Sequence, residues 1–391
     1  MKIAFIGQKG IPATQGGTEK HVENLAVRLA EMGHEVFVYV RNHYTEKTLK
    51  SFEGVKLIHI PSINTKSLDT ISYSFLSTLH TLFRKYDVIH YQSIGPASLS
   101  LIPKFFKRKT AIFATFHYRN YLDKKWGWIA KKYLRFSERI TCRVPNKTIV
   151  LKKSLKHYIF SKHQARATYI PNGAEIEYNP SLKALERWNL KDKKYLLSVA
   201  KSSEEREERG MRYLIESFKS LEETNKLANN FKLVVISEEN DSKNIKEMIR
   251  GRESIILTEN QTRSTLQQLF SHAYLFVQPW KSEEFPIYIQ EAMGYGTATL
   301  VSDHRENIEM IGKCGFTFHK RSRQDLEEKL AYLINKPSEI ERMEKNAKER
   351  IRREYGWDSV ARKTLRIYES IREKNNKPVF KKFQIEKKSY V

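Results

Sequence analysis

Cysteine is nearly absent from this chain. Cys142 and Cys314 are the only two in 391 residues, and they stand far apart in no metal-ligand spacing. That excludes a disulfide framework and a cysteine-held metal, and it predicts two buried thiols in a reducing compartment. Long apolar runs are missing as well. The most lipid-like stretch, residues 71–83, is broken by serines, threonines and His80 and is too short to cross a bilayer. Met1 and Lys2 lead straight into a strand-length run ended by Gly7, which does not read as a secretory leader. No low-complexity segment occurs, and no Asp-x-Asp pair stands at the end of a predicted strand. Acidic side chains are in deficit: 45 Asp and Glu against 70 Lys and Arg give a formal net charge of +25.

The excess is local. Residues 101–166 carry 18 lysines and arginines against Asp123 and Glu138, and residues 374–391 carry six lysines against Glu386. Such stretches suit an anionic partner (phosphates, an acidic bilayer or nucleic acid) or are solvated lysines. With 40% hydrophobic and 29% charged residues the chain is globular, not disordered. Its length points to two domains.

Strand and helix signals alternate. Residues 2–6 read as a buried strand, followed by a Gly-rich loop with Gly7, Gly10, Gly16 and Gly17 and then a helix with Val22, Leu25, Ala26 and Leu29 on one stripe, ended by Gly33. Gly16 and Gly17 at that helix start offer bare amides and a positive dipole end, an arrangement suited to phosphate, although the spacing is not G-x-G-x-x-G. Strands follow at 35–40, 55–60, 87–91 and 110–116, with a helix over 67–85. This is the pattern of a parallel sheet, and His117 falls just past a strand end, where open sheets bind ligands. Leu122, Trp126, Ile129, Tyr133, Phe136 and Ile140 recur at helical spacing among Lys124, Lys125, Lys131, Lys132, Arg135 and Arg139. They predict a basic amphipathic helix whose stripe faces the core by default, or else a bilayer. Strands at 148–150 and 167–170 close the first half, and the polar stretch to Leu190 reads as a linker.

A second alternation starts with a strand over 195–199. A polar loop over 202–208, flanked by Lys201 and Arg209, ends at Gly210, and a helix spans 211–221. Strands at 232–236 and 254–257, then a helix over 265–272, lead to residues 273–303. Here a short apolar strand breaks at Pro279, a helix is predicted from about Pro286 to Gly294 or Gly296, and a strand follows over 297–301. Glu283 in the loop and Glu291 about two turns along the helix put two carboxylates at one helix mouth. They are placed to hold sugar hydroxyls, or they are ordinary surface charges; spacing alone leaves both open. Beyond lie a helix from Glu306, a strand over 315–318, two charged helices to about Tyr355 and a final helix from Trp357.

Together these pieces resemble the family-4 retaining glycosyltransferases. Glu283 to Met293 looks like that family's E-G-F-G-x-x-x-x-E-A-M stretch with both glutamates in register. Gly16-Gly17 resembles its diphosphate-facing loop, Ile170-Pro171-Asn172-Gly173 its I-P-N-G turn, and Ser198-Val199-Ala200-Lys201 with Arg209-Gly210 its basic pair. The resemblance runs from Met1 to about Glu373 and implies the GT-B fold, an α/β architecture of two facing Rossmann-like domains with parallel sheets. It places an acceptor-binding domain over 1–175 and a nucleotide-sugar-binding domain over 176–356. A C-terminal helix over 357–373 crosses back to the first domain, and a basic tail covers 374–391. The first loop and the region of His117 and Trp126 are most similar to the bacterial rhamnosyltransferase-like, surface-polysaccharide subgroup.

By that resemblance Glu283, Lys201, Arg209 and His117 are catalytic, and Gly16, Gly17, Ser198, Phe285, Ile287 and Glu291 bind the donor. Fixed cations and amides would meet the leaving phosphate's charge, so no metal cofactor is expected. Glu291 would bind ribose, away from the anomeric carbon, unlike the paired acids of a hydrolase. The implied partners are a nucleotide-sugar donor, a glycan or polyprenol-linked acceptor and an anionic membrane surface, met from the cytoplasm on the inner face of the membrane, with no nucleic acid. Three features depart from the family. Glu284 and Pro286 replace two glycines, and Pro286 lacks an N–H, which leaves the donor sugar open. The order of Lys and Arg in the basic pair is reversed. The pair is also separated by three extra residues, which leaves Arg206 an alternative to Arg209. A sugar-nucleotide epimerase or phosphorylase of the same fold, or a basic nucleic-acid-binding protein, are the competing readings; neither a pyridoxal-phosphate lysine site nor a nucleic-acid motif is found.

Overall fold

The computed structural model describes every residue except 15, 64, 66–67, 123–125, 175–178, 201–204, 228–230, 238–241, 260, 281–285 and 377–391, together with the side chains of 205–208, 242–243 and 376. Lys201, Glu283, Glu284, Phe285 and the side chain of Arg206 therefore lie outside the described residues, as do Lys124 and Lys125. The chain forms two compact bodies, residues 1–173 with the chain from Val360 onward, and Ala174–Ser359.

The first body comprises β1 (Lys2–Ile6), α1 (Gly17–Glu31), β2 (Glu35–Arg41), β3 (Ser51–Phe52), β4 (Val55–Ile60), α2 (Leu68–Leu82), β5 (Val88–Gln92), α3 (Ile94–Ala97), α4 (Leu101–Phe106), β6 (Ala111–Phe116), α5 (Trp128–Arg143), β7 (Lys147–Val150), α6 (Lys153–His163) and β8 (Ala167–Tyr169). Its eight strands run in the order β3-β4-β2-β1-β5-β6-β7-β8, parallel except for the β3–β4 pair. Successive side chains point to opposite faces. Ala4, Ile89, Tyr91, Ile112 and Ala114 pack under Tyr73 of α2 and Ala97 of α3. Phe5, His90 and Phe113 face the other way, where His90 and Phe113 meet Tyr368. Right-handed crossovers in one direction keep α2, α3–α4 and α5 on a single face of the sheet.

The expected helix over 122–140 begins later than its spacing suggests. Leu122 ends a 3-10 turn over Asn120–Leu122, and α5 starts at Trp128 behind an extended Gly127 (φ −68°, ψ 170°). Its stripe is core only in part, since Ile140 is buried and Trp126 packs against the core. Ile129 and Phe136 are exposed, while Leu134, Ser137, Glu138, Ile140 and Thr141 are buried. The inward carboxylate of Glu138 is offset by Tyr158 (2.9 Å), Lys162 (3.0 Å) and His163 (2.6 Å), which all converge on its Oε1. Those partners, contributed largely by α6, let a charged residue sit where an apolar one was expected.

The second body comprises α7 (Lys183–Glu186), β9 (Tyr195–Ala200), α8 (Glu205–Glu223), β10 (Lys232–Ser237), α9 (Ser242–Ile249), β11 (Ile255–Glu259), α10 (Arg263–His272), β12 (Leu275–Gln278), α11 (Ile287–Tyr295), β13 (Ala298–Ser302), α12 (Arg305–Ile311), β14 (Phe316–Phe318), α13 (Arg323–Ile334) and α14 (Pro337–Glu354). The six parallel strands order as β11-β10-β9-β12-β13-β14. Leu196, Val235 and Leu300 belong to one core and Leu197, Val234 and Val301 to the other, so helices cover both faces. The last helix, α15 (Trp357–Asn376), joins the first body from Val360 on. Tyr368, buried within it, bonds His90 Nδ1 at 2.5 Å.

Candidate active site

In an open parallel sheet, ligands bind outside the carboxyl ends of the strands where the strand order reverses. In the first body that point lies between β1 and β5, which are neighbours although they are far apart in sequence. The loop after β1 carries the Gly-rich stretch. Gly7 has φ +116°, and a Cβ there would stand 2.4 Å from the Gln92 carbonyl oxygen, so only glycine lets β1 leave the sheet against β5. Gly16 (φ 95°, ψ 138°) precedes α1, and Gly17 opens it. A Cβ on Gly16 would lie 2.1 Å from Glu19 Oε2, because α1 folds its own carboxylates back over the loop. Glu19 accepts from the Lys9 amide (3.0 Å) and Glu23 from the Ala13 amide (2.5 Å). The loop is thereby tied to α1, and the amides of Lys9 and Ala13 are already occupied.

His117 stands one residue past β6, buried, and its Nε2–H donates to Gln92 Oε1 at 2.8 Å. That leaves Nδ1 as the acceptor nitrogen. The ring meets His21 of α1 edge-on, with centroids 5.2 Å apart at 88°. His21 Nδ1 in turn bonds Asn172 Oδ1 at 2.8 Å, so Asn172 of the Pro171-Asn172-Gly173 turn braces α1. His90 bonds Thr115 Oγ1 at 2.8 Å beneath them. Burial lowers all three histidines, His90 to about 3 and His117 well below its ordinary value, with the other histidines adding to the shift of His117. The cluster is therefore neutral near pH 7. The Gln92 amide nitrogen is buried without a partner among the described residues. Next to it, Ser93 holds φ at 69°, a strained conformation for a residue with a Cβ, which its N–H to Thr115 O (3.0 Å) helps to hold.

In the second body the reversal lies between β9 and β12. Ser198 is fully buried and donates to Val277 O at 2.7 Å, bracing the two strands at this point. The polar loop expected over 202–208 is largely helix: α8 begins at Glu205 and contains both Arg209 and Gly210. Glu, Arg and Glu in succession are good helix formers. Gly210 does not end a loop but sits within the helix at a point of close approach, since a Cβ there would stand 2.8 Å from Pro279 O. Arg209 is exposed. After β12 the backbone at Trp280 is fixed by the buried Asn307 of α12, whose Nδ2 donates to Trp280 O at 2.9 Å, and by Ser302 Oγ at 3.2 Å.

The helix α11 then starts behind Pro286 and ends at Gly296 in the left-handed region (φ 87°), its Ile289, Ala292 and Met293 in the core. Ile287, exposed, and Glu291, half-buried, are four residues apart and so share the outward face. The structure thus brings Ser198, Arg209–Gly210 and α11 to one sheet edge, and Gly16, Gly17 and His117 to the other body's edge. Gln92, His21 and Asn307 were not singled out in the sequence, and Asn172 only as part of a turn. Their partners lie 25 to 151 residues away, and the sole local hint is a polar residue beside an apolar stripe or at a strand end. Among the described residues no group of three or more His, Cys, Asp or Glu side chains is placed to hold a metal ion.

Comparison with known proteins agrees with this division. The family model "Glycosyltransferase Family 4" matches residues 15–178 and "Glycosyl transferases group 1" matches 183–350. An uncharacterized glycosyltransferase of Methanocaldococcus jannaschii is 24% identical over 94% of this chain and 98% of its own length. A glycosyltransferase structure from Rickettsia africae superposes with a TM-score of 0.70 at 16% identity, covering 95% of this chain and 98% of that one. HepE of Anabaena, solved in complex with UDP, gives 0.67 at 17% identity over 95% and 100%. With both halves matched by glycosyltransferase families and the GT-B architecture present, the chain is a family-4-like glycosyltransferase.

Proposed function

We propose that this glycosyltransferase is a retaining, hexosyltransferase-type enzyme. It moves a sugar from a nucleotide-diphosphate sugar to a glycan or polyprenol-linked acceptor in bacterial surface-polysaccharide synthesis, in the rhamnosyltransferase-like branch. It works in the cytoplasm at an anionic membrane surface. Residues 176–356 take the donor and residues 1–175 the acceptor. The observation that carries this reading is the outward face of α11, where Ile287 and Glu291 stand one turn apart beside the β9–β12 reversal. The UDP held by the Anabaena relative supports a nucleotide donor for the same fold.

In this reading Glu291 accepts from the ribose hydroxyls, with Ile287 and Phe285 against the donor and Ser198 bracing the strand beneath. Lys201 and Arg209 neutralise the diphosphate, and the bare amides of Gly16 and Gly17 at the start of α1 are N–H donors suited to phosphate. Glu283 holds donor-sugar hydroxyls and steadies oxocarbenium-like charge, while neutral His117 offers its Nδ1 lone pair to a sugar hydroxyl. The bond from the anomeric carbon to the phosphate oxygen breaks and its electrons stay on the phosphate. The acceptor oxygen bonds the same carbon from the same face, and its proton passes to the departing phosphate. Fixed cations and amides carry the charge, so turnover is proposed to need no metal.

The test is a panel of nucleotide-sugars with a polyprenol-linked glycan acceptor, following nucleoside diphosphate release and the product's anomeric configuration. Transfer with retention, unchanged in EDTA, is expected. An inverted product, or activity lost in EDTA and restored by magnesium or manganese, overturns the retaining or the metal-free part respectively.

A further inference from the structure

The helical layer of α2, α4 and α5 exposes a set of aromatic side chains that the fold leaves unused. Phe83, just past α2, is 87% exposed, Phe105 and Phe106 of α4 are 69% and 68%, and Trp128 and Ile129 of α5 are 75% and 66%. Phe136 continues the α5 row. The three helices that carry or precede these residues cover the same sheet face, and Phe105 and Phe106 touch edge-on with ring centroids 5.2 Å apart. The elements are also tied together. Lys107 Nζ donates to Arg84 O at 2.6 Å, joining the end of α4 to the end of α2. The Tyr133 hydroxyl bonds Ser98 Oγ at 2.9 Å, fixing α5 to the turn that runs into α4.

Charge surrounds the aromatics. Residues 83–143 contain fourteen lysines and arginines against three acids, Asp87, Asp123 and Glu138. Glu138 is fully buried and Asp87 pairs with Arg372 of α15. On α5 itself Lys132 and Arg139 alternate with Ile129, Tyr133 and Phe136 along one exposed stripe.

We propose that this face docks on an anionic lipid bilayer, seating its aromatic side chains in the headgroup boundary while the surrounding cations meet lipid phosphates. The proposal deepens the reading of a membrane-bound acceptor and rests on it for its purpose. The chemistry is that of an interfacial helix layer: apolar side chains at shallow depth, ringed by lysine and arginine. No helix among the described residues is long and apolar enough to cross a membrane, so the contact is with the surface. Charge decides against the two other occupants. The chain's own segment beyond Asn376 carries five lysines against Glu386 and would be repelled, as would the same basic face of a second copy.

The experiment is co-sedimentation of the full chain with phosphatidylglycerol or phosphatidylcholine vesicles at low and high salt. The variants are F83S/F105S/F106S, the conservative F83L/F105L/F106L, and the charge reversal Lys104→Glu, Arg108→Glu, Lys132→Glu, Arg139→Glu. The native chain and the leucine variant should bind phosphatidylglycerol, with partition falling on the order of tenfold or more on phosphatidylcholine, in high salt, or in the serine or charge-reversed variant. Thermal melts establish that each variant is folded, and where the serine variant is not, the charge-reversed one decides. Equal sedimentation of native and variant chains overturns the proposal. So does preferential binding to duplex DNA, or a concentration-dependent dimer that the substitutions abolish. Nucleotide titration of the same variants without vesicles separates the two readings: a chain that binds vesicles but no nucleotide keeps this face and loses the proposed donor site.

Discussion

The two strand-order reversals in this molecule are built from opposite materials. In the first body the site edge is made of buried or half-buried, uncharged polar groups: His21 bonds Asn172, His117 bonds Gln92, and His90 bonds Tyr368 and Thr115. In the second it is made by backbone set against backbone, with Gly210 passing Pro279 and Asn307 gripping Trp280 O, while the charged side chains Arg209 and Glu291 stand outward. Neutral buried donors and acceptors give direction without net charge, which suits orienting hydroxyls. A rigid backbone with charged groups outside suits a diphosphate and a ribose. The contrast fits the proposal that the first body takes the acceptor and the second the donor, and each half can be broken in its own way.

The largest effect is expected from acid. An unfolded histidine titrates near 6.5, whereas His21, His90 and His117 are all lowered in the folded chain, His90 to about 3. Below 6.5 the unfolded state binds more protons than the folded one. Stability contributed by these groups is therefore full above 6.5 and falls as pH falls towards the folded values. His90, lowered to about 3, costs up to about 1.4 kcal/mol per pH unit once the pH is well below 6.5, and His21 and His117 add to the loss in the same direction. Denaturant melts of the native chain should lose stability steeply between pH 6.5 and 5, and His90→Gln should flatten the slope. A native slope no steeper than that of the variant removes the buried-histidine account.

Next comes Gly210→Ala. In an ordinary helix this change stabilises by about 1 kcal/mol, but here the new Cβ meets Pro279 O at 2.8 Å. Overpacking against backbone should reverse the sign, destabilising by roughly 1–3 kcal/mol and lowering kcat/KM through the displaced loop. A more stable, fully active variant would show that the close approach carries no cost.

Asn307→Ala removes the donor held by Trp280 O and should cost about 1–2 kcal/mol. A larger fall in nucleotide affinity than in melting temperature is the signature of loop positioning. Equal falls mean a purely structural role.

The fold was largely legible before the structure because its signals are short-range. Alternating strands and helices, Gly16-Gly17 at the start of α1 and Gly296 at the end of α11 all depend on neighbours within one turn. The register of Ile287 and Glu291 on α11 was legible for the same reason. What escaped depends on contacts across the sequence. The α5 stripe reads as core because nothing near Glu138 reveals that His163 and Lys162, on the next helix, will neutralise it and turn Ile129 and Phe136 outward. The Asn172 turn reads only as a turn until His21 is seen to bond it across 151 residues. Gly210 reads as the end of a loop because the Pro279 carbonyl it accommodates is also remote in sequence.

The central claim is that a nucleoside diphosphate binds the second body through Glu291 and Lys201. Calorimetric titration of UDP, GDP and dTDP into the native chain and into Glu291→Ala and Lys201→Ala tests it most directly. Loss of one charged hydrogen-bond partner should weaken the preferred nucleotide by about 1.5–3 kcal/mol, roughly ten- to hundredfold in Kd, in each variant. Undiminished affinity for all three nucleotides in both variants contradicts the account.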